Sequence, residues 1–102
     1  MSIDTFEASL DHASPPKGWS NALQALWWDA HDDWEKAHCL VQMDEADRQC
    51  AWVHAYLHRK EGDLSNAAYW YKRSGYPIAT GSLTQERHLI ASTLLVSSSR
   101  KD

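Results

Sequence analysis

No uninterrupted run of about 18 apolar residues occurs in the chain, so no membrane-spanning helix is expected. Basic residues are outnumbered: 10 Lys and Arg against 14 Asp and Glu leave a formal net charge of −4. Sequence-independent nucleic-acid binding needs a basic footprint, and no nucleic-acid partner is expected here. Glycine and proline are sparse, and there is no Gly-rich phosphate loop, nucleophile elbow or Cys-x-x-Cys pair. The opening stretch, MSIDTFEASLDHASPP, carries acids and lacks the apolar core of a signal peptide. Cys39 and Cys50, with no secretory context, read as reduced thiols, and a cytoplasmic location follows by default.

What the chain does have is indole and phenol. Six Trp and four Tyr stand against a single Phe. Such side chains fill a core while keeping one polar atom that needs a partner, so they also suit interfaces. At 102 residues the chain reads as one all-α domain spanning 1–102, able to bury roughly 60–70% of its unfolded surface.

The richest stretch is Trp52 to Gly75, WVHAYLHRKEGDLSNAAYWYKRSG. Its first half predicts a helix from about Gln49 to Glu61, with Trp52, Val53, Tyr56 and Leu57 on one arc. Ala51 and Ala55 make a small-residue face where another helix can approach. Gly62 suits the left-handed residue that ends a helix, and Asp63 suits the cap of the next. That second helix runs to about Ser74, with Leu64, Ala67, Ala68, Trp70 and Tyr71 inward, and Gly75-Tyr76-Pro77 stops it.

Upstream, residues 1–18 hold a short helix from Ile3 to Leu10 and a Pro15-Pro16 break. Ser20 caps a helix to about His31 whose stripe is Trp19, Leu23, Leu26, Trp27 and Ala30. After an Asp32-Asp33 corner, Trp34, Ala37, His38 and Val41 share a face of a helix reaching Gln42 or Met43. Downstream, Ser82 or Thr84 caps a last helix to about Val96, and residues 97–102 read as a frayed tail.

An offset of 30 positions lays Asp32-Asp33-Trp34 through Ala37 on Gly62-Asp63-Leu64 through Ala67, and Leu23, Ala25, Leu26 and Val41 on Val53, Ala55, Tyr56 and Tyr71. The expected architecture is two helix-turn-helix hairpins plus a C-terminal closing helix. GDLSNAAYWYKRSGYP resembles the second half of a tetratricopeptide or Sel1-like helical repeat, over roughly residues 20–77. The offset of 30 differs from the 34 of the tetratricopeptide unit. HAYLHRKEGDLSNAAYWY also resembles a family of small proteins with a similar His-Arg-Glu-Gly-Asp run. The repeat resemblance implies a tetratricopeptide-like fold and a protein-interaction module; neither resemblance implies an activity.

Several side chains could carry chemistry. His54 and His58 sit one turn apart with Glu61 almost another turn on, a spacing that can clasp zinc or another divalent metal through His54, His58 and Glu61. The competing reading has both imidazoles in hydrogen bonds between packed hairpins, with Asp29, Asp33 or Asn66 as partners. Position 55 is Ala, which excludes the H-E-x-x-H protease pattern. Glu35-x-x-His38 is half of a di-iron motif with no second copy, so His38 reads as a core-edge residue. His31 stands at a helix C-terminus, where it complements the dipole. Arg59 reads as a solvated rim residue that pairs with Asp63 or Glu61. Trp28 points about 100° from the core stripe and is covered either by the N-terminal segment, where Phe6 and Leu10 need packing, or by a partner. The candidate ligand or interaction surface is thus Trp28, His38, His54, His58, Arg59, Glu61 and Tyr69. The candidate partner is an unknown protein or a second copy, and the alternative is a small molecule or a metal at His54, His58 and Glu61.

Overall fold

The computed structural model describes residues 3–99, and among them all regular structure is helical. The order is α1 (Ile3–Ser9), α2 (Asn21–Ala30), α3 (Trp34–Gln42), α4 (Arg48–Glu61), α5 (Leu64–Ser74) and α6 (Leu83–Ser99). The most extensive packing joins α4 to α5 and α2 to α3, each pair consecutive in the chain. The two pairs meet where α3 and α2 touch α4, and α6 lies across α4, α2 and α1.

Local chemistry explains the boundaries. Ser20 and Asp47 cap α2 and α4 by accepting from the backbone N–H groups of Leu23 and Cys50 at 3.2 and 2.8 Å. Ser82 and Gln85 form a reciprocal capping box on α6: the Ser82 hydroxyl accepts from Gln85 N at 3.0 Å, and Gln85 Oε1 accepts from Ser82 N at 3.1 Å. The two corners share one geometry. In each, a left-handed residue (Asp32 at φ 62°, Gly62 at φ 91°) precedes an Asp cap, Asp33 or Asp63. The cap's backbone N–H donates back five residues, Asp33 to Trp28 and Asp63 to His58, at 2.9 Å in both.

Helix α4 is the hub. Every residue from Cys50 to His58 is buried, which is how a helix looks when neighbours cover it on all sides. Ala25, Ala37, Ala51, Ala55 and Ala67 are all buried, as close helix approach requires. Three expectations change. The last helix continues past Val96 to Ser99, since a helix tolerates serine at a cost of a few tenths of a kcal/mol and no Gly or Pro stops it; residues 100–102 of the expected tail lie outside the described residues. Leu64 and Ala68 are exposed, lining an open cleft beside the 76–82 loop instead of the core. Phe6 is buried and stacks on Trp19 at 6.1 Å, and Ser9 O accepts from Trp27 Nε1 at 3.0 Å, so the N-terminal segment seals Trp27. Trp28 is half-buried, edge-on to Trp27 at 4.9 Å and covered by the Lys36 ammonium 4.1 Å from its ring centre.

Candidate metal centre

The contact between α3 and α4 gathers three imidazoles. Helical spacing puts His54 and His58 on one side of α4, and the α3 frame turns His38 towards them. One ring nitrogen from each of His38, His54 and His58 lies within 4.8 Å of the others. The Nε2 atoms of His38 and His54 are 3.1 Å apart. His54 and His58 are 2% and 6% exposed, whereas His38 is only partly buried, so the cluster opens towards solvent on the α3 side.

Aromatic rings wall it. Trp34, one turn before His38 on α3, stacks on it at 4.6 Å and 20°, and Trp70 of α5 stacks on His54 at 3.9 Å and 16°. Trp34 is held in turn by its Nε1 donating to Leu57 O at 2.8 Å. Glu61 Oε2 stands 2.7 Å from His58 Nδ1. A carboxylate there fixes the tautomer, keeping the proton on Nδ1 and baring the Nε2 lone pair.

Electrostatics set the protonation state. Burial, reinforced by His38 and His58, pushes His54 down to about 3, so its ring is neutral at pH 7 with a lone pair to give. His38 is lowered as well, by burial and by His58, while Glu61 and Glu45 oppose the shift. Whichever tautomer His54 takes, its buried Nδ1 has no partner among the described residues. Its position therefore rests on the Trp70 stack and on its Nε2 side.

The residues singled out from sequence divide clearly. His54 and His58 come together and each makes a hydrogen bond, His54 across the hairpins to His38 at 3.1 Å and His58 to Glu61 at 2.7 Å, so the expected hydrogen bonding is present but Asp29, Asp33 and Asn66 are not the partners. Asp29 instead accepts from Tyr56 Oη at 2.6 Å and pairs with Lys60 at 2.7 Å. Asn66 donates to its own cap, Asp63. Glu61 joins as the carboxylate behind His58, and with Asp63 makes a second, exposed grouping around that residue. His38, read as a core-edge filler, is the third member; its signal in the sequence was Trp34 one turn earlier on the same face. Arg59 is not a free rim cation: it pairs with Glu86 of α6 at 2.8 Å and donates to Gly81 O. Tyr69 is exposed, with Arg73 above its ring. Trp28 faces the Lys36 side of the first corner.

No protein-family model, curated protein or solved structure matches the chain. The site therefore has to be read from its own geometry.

The thiols stand apart from it. Cys39 is exposed, and burial together with the neighbouring Asp47 carboxylate pushes Cys50 up to about 12, leaving it unreactive at neutral pH. Two apolar clefts, about 400 and 430 Å³, flank the 76–82 loop, and no histidine lines either. Gln85 and Glu86 border the first and Arg59 and Tyr71 the second, whereas the three imidazoles bring ligand atoms of one kind within 4.8 Å of one another.

Proposed function

We propose that the protein binds a late first-row divalent metal ion, zinc foremost, through His38, His54 and His58, with Glu61 orienting His58. The observation that carries this reading is the 3.1 Å separation of the His38 and His54 Nε2 atoms, contributed by different hairpins, with the His58 ring close by. Two nitrogens bound to one tetrahedral zinc at 2.0–2.1 Å stand about 3.3 Å apart, so the separation matches that of two ligands on one ion once the proton between the two rings is released. Imidazole selects zinc, copper or nickel over magnesium and calcium, which want oxygen donors. The carboxylates of Glu61, Asp63 and Glu45 make the surroundings negative and favour a cation.

Titration calorimetry of chelator-treated protein with zinc tests this. One ion per chain is expected, at micromolar affinity or tighter, about −8 kcal/mol. His38→Ala, at the partly exposed member, should remove binding while circular dichroism stays helical. Binding no tighter than high micromolar abolishes the reading.

A protein-interaction surface is the second reading, favoured by one observation. Leu64, Ile78 and Leu89 are 67%, 60% and 59% exposed and border the two clefts beside the 76–82 loop. The surface expected at Trp28 moves to this loop, since Trp28 has intramolecular cover. Light scattering of the wild type against Ile78→Asp and Leu89→Asp tests for self-association; a strict monomer in all three removes it. Among the described residues no helix is long and apolar enough to cross a membrane.

A further inference from the structure

The cleft between the 76–82 loop and α6 is built without any member of the imidazole cluster. Its volume of about 400 Å³ lies in the range of small-molecule pockets. The loop that walls it is pinned along its length. Tyr76 stacks on Trp52 at 3.7 Å at one end, and the Ser82–Gln85 capping box fixes the other. Arg59 also donates to Gly81 O. The best-buried lining residues are Trp52 and Glu86, each 4% exposed, while Ile78 and Leu89 make an open apolar rim.

We propose that this cleft binds a small uncharged alcohol, an apolar body carrying one hydroxyl. The polar lining residues decide the class. Glu86 accepts from Arg59 at 2.8 Å on one oxygen and from Tyr71 Oη on the other. A carboxylate has about four acceptor sites, so capacity remains for a further donor. Gln85 Oε1 is taken by Ser82 N, which leaves its Nε2 a donor with no partner among the described residues. A hydroxyl both donates and accepts, so one group answers Glu86 and Gln85 together. Charge counts against ions. Arg59 already balances Glu86, so a buried ammonium has no counter-charge of its own, and an anion is set against the Glu86 carboxylate. Trp52, Pro77, Ile78 and Leu89 cover the apolar body.

Benzyl alcohol serves as the probe, beside toluene, benzylammonium and benzoate, which share its ring. Each is titrated at pH 7 into chelator-treated, nitrogen-15-labelled protein, so the outcome is independent of any metal. Benzyl alcohol should give saturable amide shifts in residues 78–82 and 85–93, half-complete at about 1 mM or below, a realistic strength for so small a probe. Toluene and the two ions should need about tenfold more, the scale of one hydrogen bond to a charged group. Ile78→Asp, at the exposed rim, should weaken benzyl alcohol about tenfold with helicity unchanged, the scale of one lost apolar contact surface. Toluene binding as tightly as benzyl alcohol overturns the role of the hydroxyl, and either ion binding as tightly overturns the neutral class. Shifts confined to other residues, or an Ile78→Asp variant that binds like the wild type, overturn the placement. No saturable shift with any of the four removes the site and leaves the metal reading standing.

Discussion

Positions 29 and 59 stand 30 residues apart, at equivalent places in the two hairpins, yet they carry opposite charges. Asp29 on α2 is 1% exposed and holds Tyr56 Oη, Lys60 Nζ at 2.7 Å and, more loosely, Arg87 at 3.8 Å. Arg59 on α4 pairs with Glu86 at 2.8 Å, and Tyr71 Oη also donates to Glu86. Neighbouring residues of α6 thus meet both hairpins, each with the complementary charge. Where the hairpins agree (corners, caps, alanines) they set the frame; where they differ they set specificity. The cluster follows the same rule. Offset by 30, His54 and His58 correspond to Gln24 and Trp28, and His38 corresponds to Ala68. Neither hairpin contains the site, and only their contact assembles it.

The hardest way to break this comparison is at position 29. Asp29→Ala leaves Lys60 and the Tyr56 hydroxyl without their buried acceptor, a loss of about 3–5 kcal/mol. Thermal unfolding should fall by well over about 10 °C for a domain of this size. Arg59→Ala should lose less, about 2 kcal/mol, because Tyr71 still serves Glu86 and water reaches the vacated guanidinium site. Equal losses at the two positions would show that the hairpins use α6 alike, against the burial difference.

A second test concerns the proton. The folded value of His54 lies well below 6.5, so the unfolded chain binds more protons as pH falls. Stability is therefore fully present above about pH 6.5 and is lost as pH drops towards 3, at up to about 1.4 kcal/mol per pH unit for this group. His38 is shifted in the same direction. His54→Gln, which installs the side chain found at position 24, should flatten that part of the profile in urea unfolding of metal-free protein. A variant as acid-sensitive as the wild type would remove His54 from the account.

Glu61 gives a smaller, cleaner effect. It is about 40% exposed in its side chain and touches the cluster only through His58 Nδ1. Glu61→Gln keeps the shape but weakens the acceptor, and metal affinity should drop about 10–100-fold with the melting temperature of metal-free protein hardly moved. A loss as complete as that from His38→Ala would make Glu61 a ligand after all.

How much the sequence disclosed depends on the range of the interaction. The Gly62 corner, the Asp63 cap and the one-turn spacing of His54 and His58 are set by neighbours within four residues, and each is present as expected. The all-α architecture followed from the helical period of the apolar residues. His38 was named in the candidate surface, but its place beside His54 escaped because that contact spans 16 residues and its repeat counterpart is alanine, which made a filler role natural. The partner of Arg59 escaped for the same reason: Glu86 is 27 residues away, while Glu61 and Asp63 are close in sequence but not its partners. Glu61 was tied to the pair by spacing and stands 2.7 Å from His58 Nδ1; spacing alone does not say which ring nitrogen a carboxylate meets.

The smallest effect sharpens the comparison where the hairpins agree most. Gly62 and Asp32 occupy the same left-handed corner position, at φ 91° and 62°. Nothing lies within 4 Å of a Cβ placed on Gly62, so a substitution there meets backbone strain and no clash. Gly62→Ala should lose about 1 kcal/mol, the usual penalty of a Cβ in that region. Gly62→Asp should lose less, because a short polar side chain tolerates the conformation, and it copies the first corner into the second. The reverse change, Asp32→Gly, trades relieved strain for a more flexible unfolded chain and should fall within about 0.5 kcal/mol of the wild type. The double exchange then reads the corners directly: if they are interchangeable, its effect is the sum of the two singles within about 0.5 kcal/mol. A larger departure in chemical denaturation would mean that the corners sense each other through the α3/α4 contact, and that frame and site are not separable.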